Sequence, residues 1–278
     1  MPEIVPIDDP DDERVSDYVG LTDPDLRRRR EQAGTGDGAF FIAEGIVVIR
    51  QLLRSAYRVR SLLLTPPRLA VLEPDLAGID APVYVGAQAV VNAVSGFHLH
   101  RGAIASAHRD PLPDALALAR TADLLVLAEG VNDHENLGAL FRNAAAFGAD
   151  GVLLDPTSAD PLYRRSVRVS VGQVLRVPFA RMSPWPEAIA GLRAQGFEVM
   201  ALTPGPEAED LRGVAPRPRQ AVLVGAEGPG LSAPARDGSD RRVRIGMAGG
   251  VDSLNVATAA AVALHHLARP PLAGSVRG

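Results

Sequence analysis

Short, continuous apolar runs alternate along the chain with segments in which apolar residues recur at helical spacing. In the first part of the chain, the continuous runs predict strands over residues 39–43, 61–65, 83–85 and 102–107. The helically spaced segments predict helices over residues 23–34, 44–57 and 88–94. The first of these helices begins at Asp23, a residue type that caps helices, and a proline follows it. Residues 1–13 are rich in aspartate and are predicted to form a flexible tail, so the first unit spans residues 14–110.

The rest of the chain repeats this alternation with more strongly apolar strands, as expected for a parallel sheet that is buried on both faces. Strands are predicted over residues 124–128, 152–154, 198–202, 221–224 and 243–245. Helices are predicted over residues 135–147, 166–175, 187–195 and 253–268. Residues 111–120 begin with a proline-containing stretch and are predicted to link the two units. Strands that alternate with helices indicate an α/β domain with a parallel sheet over residues 121–270.

The composition narrows the possible functions. At 278 residues the chain is long enough for two domains, and without cysteine it has no disulfide, thiol nucleophile or thiolate metal site. Its six histidines show no metal-ligand spacing, so no metal is expected. No apolar run reaches the roughly 18 residues that a membrane span needs, and the acidic N-terminus lacks the features of a signal peptide. The expected location is therefore the cytoplasm, without a membrane partner.

The net charge of −4 conceals clusters of arginine. On average, an acidic chain is a poor candidate for a nucleic-acid binder, which usually has a basic face. However, arginines are concentrated within residues 27–30, 50–60 and 164–168. Each cluster is either a solvated helix face or a surface that binds phosphate. The sequence leaves both interpretations open.

Glycine and polar residues are concentrated after three of the predicted strands of the second domain. The segments are 129–138, 225–232 and 246–255. In sheets of this kind, ligands bind beyond the carboxyl ends of the strands, so these segments form the candidate site. The glycines of the second segment either make a tight turn or let the backbone approach a ligand closely. Their spacing matches neither a dinucleotide-binding fingerprint nor a Walker A loop.

Three polar side chains near these strand ends need an explanation. Asn255 lies in the first turn of the last predicted helix, where asparagine is a poor helix former. Arg142 lies among apolar residues of another helix and must reach either solvent or a site. Asn136 is six residues earlier, about 120° around that helix, so the two side chains do not share a face. We therefore expect Asn136 to act from the start of the helix.

Taken together, the three segments resemble motifs 1, 2 and 3 of the SpoU (TrmH-like) RNA 2′-O-ribose methyltransferase family of the SPOUT superfamily. The matching stretches are Asn136-x-Gly138-x-x-x-Arg142-x-Ala144, Gly225-x-Glu227-Gly228-Pro229-Gly230-Leu231-Ser232 and Asp252-Ser253-Leu254-Asn255-Val256. Each motif is weak alone, but all three in this order are specific, and the resemblance covers residues 120–270. The smaller first domain, with Phe41–Gly45 and His100–Gly102, resembles the family's substrate-binding domain, a fold related to ribosomal RNA-binding proteins.

The resemblance implies that the C-terminal parallel-sheet domain is a trefoil knot, although protein chains generally do not knot. It also implies S-adenosylmethionine as the cofactor, bound largely by backbone atoms, and a homodimer formed through the C-terminal domain. The implied cofactor-binding residues are Leu202, Thr203, Leu223, Val224, Gly225, Gly230, Ile245, Met247, Ser253 and Leu254. Gly246 departs from the family, which often has proline there, and Ala226 stands where a small polar residue is frequent.

The reaction that the resemblance implies is methyl transfer to a ribose 2′-hydroxyl, in ribosomal RNA rather than tRNA by analogy. The implied catalytic residues are Asn136, Arg142, Glu227, Ser253 and Asn255. Because a guanidinium stays protonated in proteins, we expect Arg142 to bind the adjacent phosphate and to stabilise developing negative charge, not to act as a base.

Phosphate contacts to RNA are expected from four arginines of the first domain, namely Arg50, Arg54, Arg58 and Arg101. Two alternatives stay open beside the methyltransferase interpretation. One is a catalytically silent RNA-binding protein of the same fold, which the presence of Arg142, Glu227 and Asn255 disfavours. The other is a nucleotide-linked oxidoreductase, which the missing dinucleotide fingerprint disfavours.

Overall fold

The computed structural model describes residues 2–21, 39–97, 99, 102–249, 251 and 253–268. Its contacts divide the chain into two compact units. The first unit comprises Met1–Pro111 and Asp160–Arg176, and the second comprises Leu112–Ala159 and Val177–Gly278. The segment Asp160–Arg176 therefore clusters with the first unit, whereas the sequence pattern assigns it to the domain over residues 121–270.

Strands and helices alternate through both units. The strands are β1 (Ile4–Pro6), β2 (Phe40–Glu44), β3 (Val59–Leu64), β4 (Val83–Val85), β5 (Ala103–His108), β6 (Leu124–Glu129), β7 (Gly151–Leu154), β8 (Phe179–Arg181), β9 (Glu198–Leu202), β10 (Glu209–Asp210), β11 (Gln220–Gly225) and β12 (Arg241–Arg244). The α-helices are α1 (Ile46–Leu53), α2 (Pro66–Leu72), α3 (Gln88–Ser95), α4 (Ala115–Ala119), α5 (His134–Ala146), α6 (Arg164–Val169), α7 (Ile189–Ala194), α8 (Ala233–Gly238) and α9 (Val256–Leu267). The predicted helix over residues 23–34 lies outside the described residues.

The first unit contains a five-stranded mixed sheet in the order β1-β4-β3-β5-β2. Strands β1, β4 and β3 are parallel, whereas β5 pairs antiparallel with both β3 and β2. Strand β1 contradicts the predicted flexible tail over residues 1–13, because it pairs with β4 and Ile7 is only 1% exposed. The aspartate-rich composition of residues 1–13 suggests a tail, but the short apolar stretch within it forms the edge strand of the sheet.

Ion pairs and packing explain why the segment Asp160–Arg176 belongs to the first unit. Helix α6 packs against β2, with Ser166 and Val167 fully buried. Arg109 Nη2 lies 2.6 Å from Asp160 Oδ2 at the start of the segment. The helical spacing of residues 166–175 predicts a buried face but cannot identify the unit against which it packs.

The second unit contains a seven-stranded sheet in the order β10-β12-β9-β11-β6-β7-β8, and every pairing in it is parallel. This confirms the predicted α/β domain with a parallel sheet. The central strands β6 and β11 carry fully buried residues such as Leu125, Leu127 and Leu223, which lie in one apolar cluster with residues of α4 and α7. Helices α5 and α9 pack against each other.

Several short elements escape prediction from the sequence. Pro66 and Pro67 follow a strand and are predicted to end it, but they form the first turn of α2, where the missing N–H of proline is tolerated. Helix α4 lies in the predicted linker over residues 111–120, and β8, β10 and α8 are absent from the predicted elements. These elements have two to seven residues, too few to establish a period.

Candidate active site

A cavity of about 750 Å³ lies beyond the carboxyl ends of β9, β11 and β12 in the second unit. Its lining combines apolar side chains, glycine-rich backbone and a few polar groups, a composition typical of small-molecule sites. The predicted cofactor-binding positions that line it are Leu202, Thr203, Val224, Gly225, Gly230, Ile245, Met247, Ser253 and Leu254. Leu223 is the exception among the predicted positions, because its side chain is fully buried in the apolar cluster of the sheet.

Asn255 joins the three motif segments at the edge of this cavity. Its Nδ2 donates hydrogen bonds to Asn136 Oδ1 at 2.7 Å and to Glu227 Oε1 at 2.9 Å, across 119 and 28 residues of sequence. Its Oδ1 accepts hydrogen bonds from the backbone N–H groups of Ala257 and Thr258 and thereby caps α9. Asn255 therefore precedes the helix, which begins three residues later than predicted. The two atoms of its side-chain amide have different roles: Oδ1 caps the helix, and Nδ2 connects the three segments.

The turn from Gly225 to Leu231 requires its glycines for reasons of its own. A Cβ at Gly225 would lie 2.4 Å from the backbone of Gly230 and of Leu231, and Gly228 and Gly230 have φ of 86° and 67°. The N–H of Gly230 donates to Ala226 O at 3.0 Å and closes the turn. The tight turn predicted from the sequence is therefore confirmed, and the backbone of that turn lines the cavity.

Glu129, at the end of β6, anchors the far side of this turn. Ser232 donates to it twice, from its N–H to Oε2 at 2.8 Å and from its hydroxyl to Oε1 at 2.6 Å. The indole N–H of Trp185 also donates to Glu129 Oε1, at 2.8 Å. Glu129 is not among the residues predicted for the site. Its position directly after a buried strand is the signal that could have identified it.

Asp155 fixes the neighbouring strand end. It accepts hydrogen bonds from the N–H of Gly130 at 3.0 Å and from the hydroxyls of Thr157 and Ser158 at 2.5 and 2.6 Å. Burial alone raises the pKa of Asp155, but these hydrogen bonds together hold its pKa below the usual value. The carboxylate therefore stabilises the folded chain at neutral pH, and this contribution is lost as the pH falls through the lowered pKa.

Helix α5 presents two asparagines to α9, and Arg142 is not on that face. Asn143 lies seven residues, or about two helical turns, after Asn136 and therefore faces the same side of the helix. Its Nδ2 donates to Ala257 O at 2.7 Å. Arg142 is exposed, and within the described part of the chain it has no hydrogen bond or ion pair and does not line the cavity. This agrees with the prediction that Asn136 and Arg142 do not share a face.

The arginines predicted to contact RNA differ in their surroundings. Arg50 Nε lies 2.8 Å from Asp75 Oδ2, so its charge is already paired. Arg58 is 69% exposed and has only a 3.8 Å contact with Asp110, and Arg54 is exposed. Arg101 lies outside the described residues. Among residues that the structure describes, no cluster of potential metal ligands occurs, and no helix is long and apolar enough to cross a membrane.

The parallel sheet and the cavity beyond its strand ends, taken with the similarity to known proteins, define an RNA methyltransferase. The chain belongs to the SpoU rRNA Methylase family, whose model matches residues 123–265. A similar protein is an uncharacterized tRNA/rRNA methyltransferase of Mycobacterium bovis, which is 47% identical over 265 residues, or 94% of this chain and 90% of its own.

Solved structures show the same fold. An rRNA methyltransferase from Sinorhizobium meliloti, solved with bound AdoMet, has a TM-score of 0.78 at 24% identity and aligns over 95% of this chain and 97% of its own. An RNA 2′-O ribose methyltransferase has a TM-score of 0.69 at 25% identity and aligns over 95% of this chain and 97% of its own. Both alignments extend over nearly the whole chain.

Proposed function

We propose that this protein transfers a methyl group from S-adenosylmethionine to a ribose 2′-hydroxyl of RNA, with ribosomal RNA preferred over tRNA. The observation that carries this proposal is the junction of Asn136, Glu227 and Asn255 at the edge of the cavity. Family membership supports methyl transfer to RNA. The name of the 2′-O ribose methyltransferase among the similar structures supports the acceptor atom.

The cavity fits S-adenosylmethionine in size and in charge. Its volume of about 750 Å³ is within the usual range for small-molecule sites. Among the described residues, the ionisable side chains that line it are Glu207, Glu227 and Arg236, two negative and one positive. The cofactor has the opposite set: an ammonium, a sulfonium and one carboxylate. The lining residues Thr203, Met247 and Leu254 and their backbone would complete its binding site.

The cofactor supplies a methyl group that is already activated on a sulfonium, so the protein must mainly position the acceptor hydroxyl. We assign the orientation of the ribose to Asn136, Glu227, Ser253 and Asn255. The hydrogen bonds of Asn255 hold Asn136 and Glu227 in one arrangement. Arg142, exposed and unpaired within the described residues, would bind the adjacent phosphate through its planar fork. It would also stabilise the negative charge that develops on the 2′-oxygen.

The same proposal covers the finer points of the fold. The second unit would form the trefoil knot of the family, and the first would bind the RNA substrate. The protein would act as a cytoplasmic homodimer through its second unit. Helix α9 offers small residues for close packing and one exposed apolar side chain, Val262, which is 40% accessible.

Incubation with labelled S-adenosylmethionine and either ribosomal RNA or tRNA tests this proposal. Methylation of a 2′-hydroxyl removes the nucleophile of alkaline hydrolysis, so the labelled nucleotide should be recovered in an alkali-resistant dinucleotide. Label confined to tRNA, or label released as an ordinary mononucleotide, would contradict the substrate or the acceptor atom. RNA binding without any binding of the cofactor by calorimetry would favour the catalytically silent alternative.

Arg142→Lys is expected to lower kcat about 30-fold and to leave the Kd for the cofactor unchanged. Lysine keeps the charge but loses the planar fork that binds two oxygens at once, and about 2 kcal/mol of transition-state stabilisation corresponds to this factor. Single-turnover methylation and a calorimetric titration measure the two quantities. Wild-type turnover in this variant would show that fork geometry does not matter.

A double charge reversal, Arg54→Glu with Arg58→Glu, is expected to weaken RNA binding about 10-fold at moderate salt. It should also reduce the slope of log K against log salt by at least about 1.4, because two phosphate contacts are lost. Filter binding at several salt concentrations measures both. Arg120→Glu, at an exposed position of the second unit, is the control. An unchanged slope in the double variant would remove both arginines from the RNA-binding surface.

A further inference from the structure

We infer that Arg236 binds the carboxylate of the amino-acid part of S-adenosylmethionine. This inference rests on the proposed function and assigns a role to a residue that lies outside the three motifs. Arg236 is a half-buried residue of the short helix α8 and lines the cavity. Its position therefore gives a guanidinium access to the ligand that fills that cavity.

One hydrogen bond holds the guanidinium in place. Arg236 Nη1 donates to Leu231 O at 2.9 Å, at the end of the turn whose earlier part carries Glu227. The carboxylate that follows it in sequence is engaged elsewhere, since Asp237 Oδ1 lies 2.5 Å from Arg242 Nη2. No ion pair of Arg236 occurs among the described residues, so its remaining N–H groups are available to an anionic ligand.

The charge of the cavity explains why an anchor for a carboxylate is needed. Among the described lining residues, Arg236 is the single cation, beside the carboxylates of Glu207 and Glu227. Two acidic groups attract the ammonium and the sulfonium of the cofactor but repel its carboxylate. A carboxylate is therefore best placed against Arg236, whose planar fork can bind both of its oxygens.

A phosphate of the RNA could also supply two anionic oxygens to this guanidinium. The cofactor is the better candidate, because Arg236 lines the same cavity as Thr203, Met247 and Leu254, which the family motifs assign to the cofactor. A pair of ligands that differ only in the carboxylate separates the two sources.

The test is a calorimetric titration with S-adenosylhomocysteine and with its analogue that lacks the carboxylate. Wild-type protein is expected to bind the carboxylate-containing compound about 20-fold more tightly, and Arg236→Gln should reduce this preference to about 2-fold. Arg236→Gln should bind the analogue with wild-type affinity, which shows that the cavity is intact. Arg236→Lys, which keeps the charge without the fork, should recover part of the preference. Arg120→Gln is the matched control at an exposed arginine that does not line the cavity.

Three outcomes would overturn the inference. Equal loss of affinity for both compounds in Arg236→Gln would mean that Arg236 acts by holding the turn at Leu231. Unchanged affinity for both, with a salt slope of RNA binding reduced by about 0.7, would assign Arg236 to an RNA phosphate. Failure of the wild-type protein to bind either compound would contradict the proposed function itself, and this result is distinct from the first two.

Discussion

Asn255→Asp is expected to lower kcat/KM for methyl transfer about 1,000-fold while leaving the melting temperature nearly unchanged. Aspartate retains the oxygen that accepts the N–H groups of Ala257 and Thr258, so the cap of α9 survives. It replaces the Nδ2 donor by a second oxygen, which then faces Asn136 Oδ1 and Glu227 Oε1. The junction loses both hydrogen bonds at an exposed position, where their loss costs the fold little, and about 4 kcal/mol lost from the transition state corresponds to this factor.

Two further variants separate the site from the cap. Asn255→Ala removes both functions, so activity and stability should fall together, the latter by about 1 kcal/mol. Asp114→Asn is the matched control, because Asp114 caps α4 by accepting from the N–H of Ala117 at 2.8 Å and does not line the cavity. It should change neither quantity. Normal activity in Asn255→Asp would show that the junction of the three segments is not needed for catalysis.

Asn255 also illustrates what the sequence could and could not predict. The three motifs and the parallel sheet together place the candidate residues at the same ends of the strands, and most predicted cofactor positions line the cavity. Whether a given side chain faces the cavity depends on local geometry, because side chains alternate between the faces of a strand. Leu223 lies in the core for this reason, although its neighbour Val224 lines the cavity.

Contacts between residues that are far apart in the sequence are the main feature of the site that could not be predicted from the sequence. Glu129 and Ser232 are 103 residues apart, and only the parallel pairing of β6 with β11 brings them together. The same limit applies to the segment Asp160–Arg176, whose apolar spacing is compatible with packing on either unit. Periodicity defines which face is buried, and tertiary structure defines its partner.

Arg219→Ala is expected to destabilise the second unit by about 3 kcal/mol. Arg219 precedes β11, and its guanidinium donates to backbone carbonyls at the ends of two helices: to Ala119 O at 2.5 Å and to Gln195 O at 2.7 Å. It also lies 4.4 Å from the centre of the Phe197 ring. Carbonyls at helix C-termini have no partner within the helix, so one side chain satisfies α4 and α7 together. Its removal leaves Gln195 O without the donor that it has here and leaves Ala119 O with only the N–H of Ala122, at 3.2 Å.

Differential scanning calorimetry should show this loss as a transition about 8 °C lower, given the usual dependence of the melting temperature on stability for a unit of this size. Arg219→Met keeps the apolar stem over Phe197 and should lose slightly less, so the difference between the two variants measures the stacking. Arg193→Ala is the control, because Arg193 is 47% exposed and pairs only with Asp240 at the surface, and it should cost less than about 1 kcal/mol. A melting temperature for Arg219→Ala within 1 °C of the control would mean that water replaces the guanidinium without loss. The C-terminal ends of α4 and α7 would then be stabilised by the apolar cluster against which these helices pack, and not by the guanidinium of Arg219.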